Sequence, residues 1–172
     1  MKNKISIILS IFVSLLCFSC SSQLCLQKRT DKLIKKSQKR TDTVYLYSVA
    51  FNNFNFIWYH KGDYLYGFYV KPYKTISYNP VEAKNIVVSK ESIDKYFDTS
   101  IYKDIQCFEN VLDGAWVKLY LKNKEPLFSS VDTDCLFNTK FESNSFPYKL
   151  QYDFFKLRRS PIDFDFEKMY SK

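Results

Sequence analysis

His60 is the only histidine in the chain, so a nucleophile–base pair working near neutral pH would have to use it. No other side chain has an unperturbed pKa in that range. The chain has no Gly-x-Ser-x-Gly elbow and no His-Glu-x-x-His to build a site around it. Its neighbours are Tyr59 and Lys61, next to a glycine turn, and an ordinary strand end explains that placement. Replacing His60 by Gln is therefore expected to leave fold and activity intact, and no residue is assigned a catalytic role.

The acidic residues suggest metal chemistry in two places. Asp132 and Asp134 flank Thr133, but the glycine and the terminal glutamate of a calcium loop are missing. Asp163, Asp165 and Glu167 alternate with Ile162, Phe164 and Phe166, the pattern of a strand with one solvated face. Lys156, Arg158 and Arg159 form a small basic cluster best explained as surface. No metal site follows, and with three glycines in all the backbone has little freedom for a loop that cradles a cofactor phosphate. A small enzyme using His60 or a carboxylate pair remains the alternative to a binding role.

The N-terminus is more specific. Met1-Lys2-Asn3-Lys4 is followed by an apolar run from Ile5 to Phe18, broken only by serines. A basic start with a short apolar core is the layout of a signal peptide, and a membrane span would need roughly 20 apolar residues. The end of the run, Leu16-Cys17-Phe18-Ser19-Cys20, resembles the lipobox of bacterial lipoproteins. Ser19 and Cys20 match the small residue and the acylated cysteine, whereas Cys17 stands where leucine is usual and Phe18 is bulky. The resemblance implies a signal over residues 1–19, lipid attachment at Cys20, and a bacterial cell envelope address facing the periplasm or cell exterior. Among the cysteines left after cleavage no Cys-x-x-Cys occurs. Cys107 and Cys135 form a candidate disulfide in an oxidising envelope, or stand as two separate buried thiols.

The formal charge of +8 is concentrated in one place. Lys2 and Lys4 leave with the signal. Residues 28–40 contain Lys28, Arg29, Lys32, Lys35, Lys36, Lys39 and Arg40 against Asp31 alone, and residues 41–172 carry 17 basic and 17 acidic side chains. A neutral body in an exported chain argues against nucleic acid as a partner. With few apolar residues, 20–42 is expected to be a disordered basic tether, dispensable for folding. Beside a lipid anchor it would also be drawn to anionic head groups.

Residues 43–172 read as one β-rich domain, long enough for a real core. Aromatic residues make up 19% of the chain, and strands are predicted at 43–51, 54–60 and 64–70. A three-residue loop Lys61-Gly62-Asp63 would set His60 opposite Tyr64, Trp58 opposite Tyr66 and Phe56 opposite Phe68. Both hairpin faces are apolar, so both are covered or one is a binding surface. Further strands are predicted at 73–78, 86–88, 106–112, 115–121, 127–131, 148–155 and 162–166, with a helix capped by Ser89. The class is α+β, mainly antiparallel sheet with one or two helices. Trp58, Trp116 and the tyrosines could serve a protein, peptide or glycan ligand as stacking platforms.

Overall fold

The computed structural model describes residues 22–49, 53–97, 115–158 and 166–170. A helix (α1, residues 22–37) comes first. It is followed by β1 (Thr43–Val49), β2 (Asn55–Lys61), β3 (Tyr64–Val70), β4 (Thr75–Ser77), β5 (Val81–Glu82) and α2 (Lys90–Phe97). After residue 114 come β6 (Ala115–Leu121), β7 (Leu127–Val131), α3 (Thr133–Asn138), α4 (Phe146–Lys156) and α5 (Phe166–Tyr170). The strands form one antiparallel sheet in the order β4-β3-β2-β1-β6-β7, with β5 sharing the outer edge of β3. The fold is α+β and mainly sheet, as the sequence suggests, with more helices than it predicts.

The β2–β3 hairpin forms, but its register is shifted by one residue. Lys61 pairs with Tyr64, so the loop is only Gly62-Asp63, and Trp58 faces Gly67 rather than Tyr66. Gly62 adopts φ 58°, which the shorter loop requires and glycine takes without steric penalty. A one-residue slip exchanges the faces of β3. Leu65 becomes fully buried while Tyr64 is half exposed, and Tyr66 stacks on Tyr59 at 5.1 Å. Gly67 lies under α4; a Cβ there would stand 2.9 Å from Leu157.

Both faces of the sheet are covered. One carries Tyr45, Tyr47, Phe56, Trp58, Val117 and Leu119, packed beneath Tyr96 of α2, Leu136 and Phe137 of α3, and Phe146, Leu150 and Phe154 of α4. The other carries Val44, Leu46, Ile57, Tyr59 and Val70, packed against Leu26 and Ile34 of α1.

The segment read as a solvated tether is therefore part of the core. Leu26, Thr30 and Ile34 recur every four residues, and all three are buried together with Ser37. Thr30 Oγ accepts from Asn55 Nδ2 at 2.9 Å, and Ser48 Oγ donates to Asn55 Oδ1 at 2.6 Å. Two of the four inward positions are thus polar, which is why the sequence shows so weak an apolar stripe.

Residues 146–156, read in part as a strand, are helix α4. Phe146, Leu150 and Phe154 follow helical spacing, Ser145 Oγ caps Tyr148 N, and Pro147 occupies the first turn. Gln151 Nε2 donates to Leu136 O (2.6 Å) and Thr139 O (2.8 Å), tying α4 to the end of α3. Residues 86–88 form no strand. Phe166 starts a helix instead of closing a strand, and 106–112 and 162–165 lie outside the described residues. The Ser89 cap holds, its hydroxyl accepting from Ser92 N at 3.0 Å.

Candidate functional site

Strand β2 and helix α4 bring together a buried polar cluster that the sequence does not announce. The even-numbered residues of β2 face the α4 side, which sends both Trp58 and His60 inward. Lys149 and Asp153 are four apart on α4 and so share one face. His60 is 7% exposed, Lys149 2% and Asp153 0%.

Asp153 is the hub. Its Oδ1 lies 2.8 Å from His60 Nε2; its Oδ2 accepts from Trp58 Nε1 at 3.1 Å and lies 3.4 Å from Lys149 Nζ. Lys149 Nζ also donates to Asn85 Oδ1 at 3.0 Å and sits 5.5 Å from the centre of the Tyr45 ring. Both carboxylate oxygens are thus engaged, as a buried charge requires.

The tautomer follows from the neighbours. His60 Nε2 is 3.1 Å from Lys149 Nζ as well, but an ionised Asp153 has only acceptors to offer, so Nε2 carries the proton that Oδ1 receives. Nδ1 is buried and has no hydrogen-bond partner among the described residues. Burial holds the Lys149 ammonium below the usual lysine range, and Asp153 draws it only part of the way back. Burial likewise pushes the Tyr45 phenol well above its ordinary range, with the Asp153 charge adding to the effect.

A carboxylate, an imidazole and a lysine in contact can move protons in principle. Here His60 is committed to Asp153 rather than to a hydroxyl or thiol. A small cavity of about 250 Å³ reaches the cluster, lined by Thr41, Asp42, Thr43, Tyr45, His60 and Asn85.

The other sequence candidates are dispersed. Asp132 caps α3 by accepting from Cys135 N at 3.0 Å, while Asp134 sits in the first turn of α3 and Glu167 in that of α5. Among the described residues no group of three or more His, Cys, Asp or Glu side chains could hold a metal ion. Cys135 is disulfide-bonded and Cys25 on α1 is a free thiol. Cys20 and Cys107, the other candidate positions, lie outside the described residues, as do Asp163 and Asp165.

Two surface features complete the picture. Between α1 and the β6–β7 side of the sheet runs an open groove of about 420 Å³, lined among others by Gln27, Asn55, Trp116, Tyr120 and Phe128. Phe128 is 49% exposed, and Lys118 Nζ lies 5.5 Å from its ring centre. The outer face of α1 carries the basic residues of the N-terminal region.

Sequence reasoning singled out His60 but explained it as an ordinary strand end, whereas it is buried in this cluster, and it missed Lys149 and Asp153. The available signal was a Lys-x-x-x-Asp pair interrupting the apolar face of 146–156, legible only once that stretch is read as a helix. No family model, no curated protein and no solved structure matches the chain.

Proposed function

We propose that this chain is a bacterial envelope lipoprotein, anchored through a lipid on Cys20, whose folded domain is a non-enzymatic binding module for a protein, peptide or glycan. An immunity or inhibitor role falls within that reading. The observation that carries the binding role is the groove beside α1. It offers the rings of Trp116, Tyr120 and Phe128 next to the exposed Gln27 amide and the Lys118 ammonium, a combination suited to stacking with polar orientation. The anchor rests on the basic start, the short apolar core and the Ser19-Cys20 pair. An oxidising envelope also accommodates the disulfide of Cys135, for which we take Cys107 as the partner.

Mass spectrometry of the membrane fraction tests the anchor. The mature N-terminus should be an acylated Cys20, and Cys20→Ala should release the domain or block processing. A mature chain starting at Ser21 or later, without lipid, would end this reading. For the binding role, Trp116→Ala with Phe128→Ala should abolish co-purification of the native partner while thermal unfolding stays close to that of the parent. Unchanged capture would move the binding surface elsewhere.

A second reading, a small envelope enzyme, is favoured by the contact of His60 with Asp153 and Lys149. His60→Gln separates the two. Retained biological activity supports the binding module, and loss of activity in a folded protein supports the enzyme.

A further inference from the structure

Helix α1 divides its residues sharply by charge. Leu26, Thr30 and Ile34 point into the core, while Lys28, Arg29, Lys32, Lys35 and Lys36 are all exposed. At about 100° per residue these five cations fall within an arc of roughly 120° on the outward side. Lys39 and Arg40 extend the basic surface into the following turn, also exposed. Residues 41–172 are balanced in charge, so the excess positive charge of the folded chain sits on this one face.

The face has an aromatic flank. Arg29 Nε donates to Pro72 O at 3.2 Å, which fixes the loop 71–74 beside α1. That loop adds the exposed Lys71 and Lys74 and Tyr73, which is 72% exposed. Lys71 Nζ lies 5.4 Å from the ring centre of Tyr69, which packs on the other side of the sheet, so Tyr73 is the aromatic side chain that flanks α1. Ser22 borders the same depression. Solvent-facing tyrosine beside lysine is the side-chain pair that suits the boundary between water and lipid.

Chain length decides which surface this face meets. Ser22 is two residues beyond Cys20, and two residues span at most about 7 Å whatever path they take. We propose that the outer face of α1, with the 71–74 loop, lies flat on an anionic phospholipid bilayer and fixes the orientation of the domain. The proposal rests on the lipoprotein reading, because the acylated cysteine places this edge in the head-group layer. It replaces a flexible leash with a rigid docking face, and it turns the layer of α2, α3 and α4 away from the membrane. The affinity comes from many phosphate–cation attractions, so it depends on lipid charge and weakens with salt.

Amine footprinting of the mature protein tests this. The protein is extracted from membranes, reconstituted on vesicles of phosphatidylcholine alone or of equal parts phosphatidylcholine and phosphatidylglycerol, and treated with an acetylating reagent. Acetylation of Lys28, Lys32, Lys35, Lys36, Lys71 and Lys74 should slow by about fivefold or more on the anionic vesicles, given the attraction expected per cation. Lys90, Lys95 and Lys140 should react equally on both. The triple variant Lys32→Glu, Lys35→Glu, Lys36→Glu should lose the protection while unfolding at the parent temperature. Equal labelling on the two vesicle types, or protection centred on Lys90 and Lys95, would overturn the docking face. The intact mass of the same sample reports the acyl group independently. An acylated protein with uniform labelling keeps the anchor and overturns the face. An unacylated protein that still shows the footprint keeps the face and overturns the anchor.

Discussion

At Asp153 a single, fully buried carboxylate holds three donors from two elements. Removing it leaves the Lys149 ammonium and the Trp58 and His60 N–H groups buried without their acceptor. Asp153→Ala should therefore destabilise the fold by about 3–5 kcal/mol, measured by urea denaturation, and Asp153→Asn by less because one acceptor oxygen remains. His60→Ala removes one donor and should destabilise by about 1–3 kcal/mol. The depressed pKa of Lys149 also has a pH signature. Between its folded value and the ordinary value of 10.5, the unfolded chain binds more protons than the folded one, so stability rises with pH across that window. The native chain should gain on Lys149→Met as the pH approaches 10.5. Tyr45 acts in the opposite sense above its ordinary value of 10.0, because burial favours the neutral phenol and its contribution is lost as the pH climbs. Tyr45→Phe should lessen that alkaline loss. Equal pH profiles for the native chain and Lys149→Met would remove Lys149 from the account.

The elements most exposed to misreading are α1 and α4, for related reasons. In α1 the inward stripe uses Thr30 and Ser37 as well as Leu26 and Ile34, so composition resembles a linker although the geometry is that of a packed amphipathic helix. Truncation to residue 41 would uncover Val44, Leu46, Ile57, Tyr59 and Val70 and deprive Asn55 of its Thr30 partner. Such a chain should fail to fold or melt many degrees lower. Ile34→Ala alone should cost about 2–5 kcal/mol, against about 0.5 kcal/mol or less for the exposed Lys35→Ala. A truncated chain melting at the parent temperature would show that α1 does not contribute to the core. In α4, Tyr148, Leu150, Tyr152 and Phe154 alternate with polar residues over a short span. The Ser145 cap and Pro147 were the better guide, because they mark a helix start independently of periodicity.

Across the whole molecule, aromatic residues take their roles from the sheet's two covers. Trp58 is fully buried, stacked on Tyr45 at 5.3 Å and edge-on to Phe154 at 5.0 Å. Trp58→Ala should cost about 3–5 kcal/mol, whereas Phe128→Ala, at an exposed groove wall, should stay within about 1 kcal/mol. Denaturation of the two variants distinguishes core from surface directly. A small effect at Trp58 would contradict the packing described.

The sequence by itself determined the α+β class, the β2–β3 hairpin, β6 and β7, the Ser89 cap and the concentration of charge at residues 28–40. These follow from local turn chemistry, β propensity and composition, which act over a few residues. Tertiary structure alone decided the hairpin register, because one loop residue more or fewer is locally acceptable and only burial of Leu65 and closeness at Gly67 select between them. It also decided that a basic segment would pack as α1, since Asn55 supplies a hydrogen bond from 25 positions away in the chain. The cluster of His60, Lys149 and Asp153 belongs to the same category. Its members lie on a strand and a helix 93 positions apart, and no local pattern reports which distant side chain will satisfy a buried charge.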